Sequence, residues 1–261
     1  MHAMVEVAPG NDPDLVSDRL RVFGAVGVEI RDDVVVGAFT DAAAADAAAV
    51  DLNGRCFTVG DTTGLDEWRD HAVVVAAGPF SIRPPWLDAG SGLDLVIDPG
   101  HAFGSGSHPS TQLALDLLAD LVAPGISVAD LGAGSGVLGI AAALLGADVI
   151  TVDCDPEARR ATLANAARNG VADRVEAITE DLAAVDLRAD LTVLNVTIDI
   201  HEEVAPRLRN QALGPIIVSG ILAGEQEHRC ATAHDRVAAR RVVQDEWAAL
   251  VLDRGPDRSG S

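Results

Sequence analysis

The sequence predicts an α/β protein: a doubly wound, mainly parallel sheet in its larger part, preceded by a small α+β domain. Three observations carry this. From Ile126 onward, short apolar runs rich in Val, Ile and Leu alternate with helical segments, as parallel strands and their crossover helices do. The run 126–131 turns through alternating glycines, Gly132, Gly134 and Gly136, into an Ala-rich stretch over 137–145. Residues 1–60 change period repeatedly, in the order βαββαβ.

Taken in order, residues 4–8 read as a strand. Residues 13–23 read as a helix, with Asn11 or Asp12 before it and Gly24 after it. Segments 26–30 and 34–39 form a hairpin around Arg31-Asp32-Asp33. Asp41 caps an Ala-rich helix over 41–52, and 55–59 closes the set. Gly60 to Gly64 opens a linker over 61–92, within which 65–71 reads as a short helix and 72–77 and 80–83 as a strand pair. The expected division is therefore a small domain at 1–60, a linker at 61–92 and the large domain at 93–261.

Strand 93–97 leads into a glycine- and hydroxyl-rich loop, Asp98 to Thr111, with Pro109 where a helix begins. Leu113, Leu117, Leu118 and Leu121 then recur at helical spacing. Beyond the glycine turn come strand 148–152 and a helix over 156–169 with Asp155 as cap and Gly170 as stop. Strands at 175–179 and 191–196 follow, then a helix over about 202–208, strand 216–219 and a helix at 225–233. Strands 240–243 and 248–252 complete the run.

Ligands of such sheets sit at the carboxyl ends of the strands. That rule gathers Gly132, Asp153, Asp181 and Asn195 into one crevice. Gly134-Ser-Gly136-Val-Leu-Gly139 satisfies a dinucleotide fingerprint, and a glycine turn can also serve no ligand at all. Asp130, two residues before the glycines, is unwelcome beside a pyrophosphate but suits the amino group of a methionine moiety. Asp153, seventeen residues after Gly136, is placed for ribose hydroxyls, and Glu180-Asp181 for an adenine amino group.

The acid–glycine–acid–acid pattern resembles class I S-adenosylmethionine-dependent methyltransferases, whose fold is Rossmann-like. More specifically, Ile97-Asp98-Pro99-Gly100-His101-Ala102-Phe103-Gly104-Ser105-Gly106-Ser107-His108-Pro109-Ser110-Thr111 is similar to the methyltransferases of ribosomal protein L-eleven (the PrmA type). The turn from Asp130 to Gly136, Val152-Asp153-Cys154-Asp155-Pro156 and Asn165-Ala166-Ala167-Arg168-Asn169-Gly170-Val171 strengthen the likeness. The resemblance implies a ferredoxin-like N-terminal domain that recognises substrate. It also implies S-adenosylmethionine as cofactor, held by Thr111, Gly132, Asp153 and Asn195, and transfer of methyl groups to lysine or N-terminal amines of a protein. Asn195 is then the catalytic residue, its carbonyl accepting from the incoming amine. The chain departs from the family after Asn195, where Thr197, Asp199 and His201 are expected to line the acceptor pocket. That departure keeps a small-molecule methyltransferase open as the alternative, and a non-catalytic nucleoside-binding protein after it.

Composition narrows the partners. The formal charge is −21, with all 19 cations arginine. Such a surface repels nucleic acid and would attract a basic protein partner, while a simply solvated acidic surface accounts for the same charge. No apolar run approaches the ~18 residues of a membrane span. Cys56, Cys154 and Cys230 are odd in number and show no metal or redox spacing, which suits a reducing, cytoplasmic setting without a metal. His108 and His201 are candidate proton acceptors or ordinary surface histidines, and neither is assigned as a general base.

Overall fold

The computed structural model describes residues 2–8, 13–31, 34–59, 72–98, 104–185 and 187–254. Packing divides the chain into two units, Met1–Ala72 and Val73–Ser261.

In the first unit β1 (His2–Val7), α1 (Pro13–Val22), β2 (Gly27–Arg31), β3 (Val34–Phe39), α2 (Ala42–Asp51) and β4 (Arg55–Val59) follow the order read from the sequence. The strands pair antiparallel in the order β2-β3-β1-β4, the ferredoxin-like arrangement. Period-two alternation puts Ala3, Val5 and Val7 on the buried face, where they meet Leu20, Phe39, Ala45 and Ala48. Asp41 caps α2 as expected, its Oδ1 accepting from Ala43 N at 2.9 Å. The short helix expected at 65–71 lies outside the described residues.

The second unit begins with β5 (Val75–Ala77), β6 (Phe80–Arg83) and β7 (Leu93–Val96), a three-stranded sheet in which β6 and β7 run parallel. The stretch read as linker thus carries two of these strands. Then come α3 (Pro109–Leu121), β8 (Ser127–Leu131), α4 (Val137–Leu144), β9 (Asp148–Asp153), α5 (Pro156–Arg168), β10 (Val175–Thr179) and β11 (Leu191–Asn195). The chain continues through α6 (Ile198–Gln211), β12 (Ile216–Leu222), α7 (Glu225–His234), β13 (Val237–Gln244) and β14 (Trp247–Asp253).

The central sheet runs β10-β9-β8-β11-β12-β14-β13, parallel from β10 to β12 and antiparallel beyond. Strand order reverses at β8, so a crevice opens beyond its carboxyl end. α3 and α4 bury Leu113, Leu117, Leu118, Ile140 and Ala141 in one core cluster with Val128, Leu191 and Val193. A second cluster joins Leu131, Leu194 and Val218 to Val204, Leu208 and Cys230. Helix α6 starts at Ile198, four residues before the start expected from sequence. Thr197, in extended backbone at φ −67° and ψ 159°, opens it, Asp199 complements its positive end, and Pro206 lies within it.

Candidate active site

The site is built where β8 ends. Gly132, Gly134 and Gly136 have φ of +76°, +53° and +81°, the left-handed region that favours glycine. The turn is also tightly packed: a Cβ on Gly132 would stand 2.6 Å from Val196 Cγ1, and one on Gly136 2.7 Å from Thr162 Oγ1. Gly132 N and Ala133 N both donate to Val152 O, at 2.8 and 3.2 Å, which ties the turn to β9.

Asp153, at the end of β9, accepts from Gly134 N at 2.9 Å through Oδ2 and from Asp155 N at 3.0 Å through Oδ1. Asp153 O accepts from Glu180 N at 3.1 Å, so the second acid pair follows β9 closely. Asp181 is exposed, with Oδ1 accepting from Ala183 N at 2.8 Å. Asp130 is buried beneath the turn, and its Oδ2 accepts from Gly139 N at 2.8 Å. Burial, only partly offset by that bond, and the Asp153 charge together push its carboxyl up to about 7.

On the other side of the turn, Asn195 ends β11 and donates from Nδ2 to Thr111 Oγ1 at 3.0 Å. Thr111 is buried in the first turn of α3. That turn is anchored on β12 by Ser219 Oγ, which donates to Ser110 O at 2.8 Å. The bond to Thr111 uses the Asn195 amide nitrogen and leaves Oδ1 for an incoming donor.

Residues 98–111 reach the turn at both ends, and 99–103 lie outside the described residues. Gly104 O accepts the Ser135 hydroxyl. At the near end the organising residue is one that sequence reading gave no role. Asn165, fully buried on α5, donates from Nδ2 to Asp98 O and to Ser135 O, both at 3.0 Å, and accepts from Asp98 N at 3.0 Å. One turn later Asn169 takes Val96 N at 2.9 Å and gives to Val96 O at 2.7 Å, as a neighbouring strand would. The signal was the pair's four-residue spacing on one helix face, visible in sequence but without a stated partner.

The two histidines singled out in the sequence differ, and the expectation for His201 is corrected. His108 is the N-cap of α3: its Nδ1 accepts from Ser110 N at 3.2 Å, and its ring meets Trp247 edge-on at 4.6 Å. His201 does not line an acceptor pocket. Its ring is fully buried, bonds Ser219 O at 2.9 Å, and burial pushes its imidazole down to about 4. Cys230, which shows no metal spacing in sequence, has His201 and His234 beside it. Thr197 and Asp199, by contrast, are exposed at the start of α6. A separate hollow at the amino ends of β8, β9 and β10, lined by Ser127, Asp148, Arg174 and Arg188, contains none of the predicted site residues.

A glycine turn between an acid tied to it and an exposed acid just beyond β10 is an acceptor set suited to a nucleoside's hydroxyls and amino group. With this sheet order it defines a class I S-adenosylmethionine-dependent methyltransferase. The chain belongs to the family described as ribosomal protein L11 methyltransferase (PrmA), whose profile matches residues 39–255. The protein of that name from Thermus thermophilus is 42% identical over 218 residues, covering 79% of this chain and 84% of the relative. The Escherichia coli K12 protein of that name is 38% identical over 191 residues, and the match spans 70% of this chain and 65% of that one. A match to the Pelotomaculum thermopropionicum relative, 45% identical, spans 56% of its length. The crystal structure of ribosomal protein L11 methylase from Lactobacillus delbrueckii superposes with a TM-score of 0.63 at 30% identity, covering 69% of this chain and 98% of that one.

Proposed function

We propose that this methyltransferase modifies amine nitrogens, lysine side chains or an N-terminus, of a basic ribosomal protein of the L11 type. The names of the relatives supply the substrate class. The observation that carries the chemistry is the Asn195 carboxamide, fixed by Thr111 with its Oδ1 available at the end of β11. In this reading Gly132 and Gly134 line the cofactor's seat, Asp153 takes its ribose hydroxyls and Asp181 its adenine amino group. Asp130 acts from beneath as a buried acid rather than as a direct contact. S-adenosylmethionine, when bound there, supplies a methyl group on a cationic sulfonium.

A lysine amine must be neutral to attack, which at pH 7 costs roughly 4.6 kcal/mol from its reference pKa. A carboxylate against the nitrogen would raise that cost, whereas desolvation lowers it. Asn195 resolves the conflict, because a neutral carbonyl orients an N–H without adding charge. Asp199, exposed on the first turn of α6, stays off the nitrogen and belongs to the acidic surface that draws a basic partner. The first unit, over 1–72, serves substrate recognition. The three cysteines are free, in keeping with a cytoplasmic protein. Among the described residues no helix is long and apolar enough to cross a membrane.

The test is incubation with methyl-labelled S-adenosylmethionine and purified L11, total ribosomal protein, or a protein-free metabolite extract. Label in L11 that is lost in Asn195→Ala supports the reading. Label confined to small molecules refutes it and favours the small-molecule alternative.

A further inference from the structure

The geometry points to a buried site for a thiophilic d10 cation, zinc or monovalent copper, formed by His201, Cys230 and His234. Cys230 and His234 are four residues apart on α7 and so share one face, and that face packs on α6, which carries His201. One donor atom from each of the three lies within 4.8 Å of the others. Their exposures are 0%, 0% and 1%, so solvent cannot satisfy them.

The hydrogen bonds separate this cluster from ordinary packing. Ser219 O can only accept, so the His201 proton sits on Nε2 and is donated there at 2.9 Å. Nδ1 is left with a lone pair, buried and with no group in hydrogen-bonding geometry, the Val196 backbone being a second polar group that bears on the ring. A histidine held by a backbone carbonyl on one nitrogen and open on the other is the arrangement by which metal-ligating imidazoles are oriented. His234 is more exceptional: neither ring nitrogen has a hydrogen-bond partner. Burying a polar group in this state is costly, because it has given up its water and gained no partner. The His201 and His234 rings stand edge to face at 5.7 Å, a stacking contact that satisfies neither lone pair. A cation between the two rings and the sulfur would satisfy both.

Donor type sets the class. One thiolate and two imidazoles, with no further His, Cys, Asp or Glu joining them among the described residues, suit zinc completed by water or three-coordinate monovalent copper, not calcium or magnesium. Arg209 and Arg236 lie near His234 and disfavour extra positive charge, while Glu202 lies near Cys230. On binding, the Cys230 S–H bond breaks, its proton leaves to solvent and the sulfur keeps the electron pair that bonds the metal. That negative charge offsets one positive charge of the cation. The clamp would join α6 to α7 behind the sheet, a structural role coupled to folding.

The experiment uses the full chain without a polyhistidine tag, purified without chelator. Elemental analysis is followed by stripping and separate titration with Zn²⁺, Co²⁺ and, under reducing conditions, Cu⁺ against chromophoric chelators. The expected result is about one equivalent bound, a sulfur-to-cobalt charge-transfer band, and a melting temperature that rises with the metal. The stronger of the zinc and copper arms names the ion. Cys230→Ser and His234→Gln should each weaken binding at least tenfold, while Cys56→Ser and Cys154→Ser bind as wild type. If the buried variants do not fold, the cobalt band and metal-dependent melting of the wild type decide. Absence of both in the wild type, or unchanged binding by a folded Cys230→Ser protein, overturns the site.

Discussion

The Asn195 side chain donates to Thr111 Oγ1 at 3.0 Å across 84 residues of sequence, joining the end of β11 to the first turn of α3. This bond sets which end of the carboxamide is presented. Thr111→Val keeps the shape and removes the acceptor, so the amide can rotate. Expected is a kcat loss of about 10–100-fold with cofactor affinity within a few-fold, and a loss on the order of 100-fold or more for Asn195→Ala. Because the two act as one unit, the double variant should be no worse than Asn195→Ala. Steady-state kinetics on the four proteins checks this, and additive losses would separate the residues.

Asp153 bonds two backbone N–H groups of the site, at Gly134 and Asp155. Asp153→Ala should therefore weaken S-adenosylmethionine binding by about 100-fold and also lower stability by about 1–3 kcal/mol. Calorimetric binding and denaturant unfolding separate the two effects. An unchanged cofactor affinity would remove Asp153 from the binding set.

Gly136→Ala introduces a methyl group 2.7 Å from Thr162 Oγ1 at a φ of +81°. The expected cost is about 1–3 kcal/mol, read as a lower midpoint in urea. Gly170, also left-handed but with open space around a Cβ, should cost less when replaced by alanine.

The two asparagines of α5 give a graded prediction. Asn165→Leu leaves the backbone of Asp98 and the carbonyl of Ser135 without their shared partner, whereas Asn169→Leu strips only Val96 and the carbonyl of Asn165. Both should destabilise, by about 2 kcal/mol or more. Only Asn165→Leu should also raise the KM for cofactor several-fold, since Asn165, unlike Asn169, ties Asp98 to Ser135 of the glycine turn.

Asp130 predicts a pH dependence. Its folded pKa is raised to about 7 from an ordinary value of 3.8, chiefly by burial. The folded state therefore holds a proton that the unfolded chain releases between those values. The stability this group confers is complete below the lower value and is lost as pH rises through about 7. Asp130→Asn keeps an acceptor for Gly139 N and lacks this loss, so its stability relative to wild type should increase from pH 4 to 8. The gain is at most on the order of 4 kcal/mol. Parallel curves for the two proteins across that range would show that Asp130 is not perturbed.

Much of the fold was legible because its signals are local. Caps at Asp41 and Asp155, the left-handed glycines of the turn, and the alternation of strand and helix each follow from a few neighbouring residues. The start of α6 was placed too late because Thr197 makes no side-chain cap bond and the β-branched residues Thr197, Ile198 and Ile200 give a weak helix signal.

The sequence by itself determined the sheet class, the glycine turn and the acids at the strand ends, since chain stereochemistry and spacing fix these before any long-range contact forms. Tertiary structure alone decided that Thr111 holds Asn195, that Asn165 stitches Asp98 to Ser135, and that His201 turns inward to Cys230 and His234. Those relationships join residues 29 to 84 positions apart. They depend on which faces the helices bury against the sheet, and burial is decided by the whole core at once.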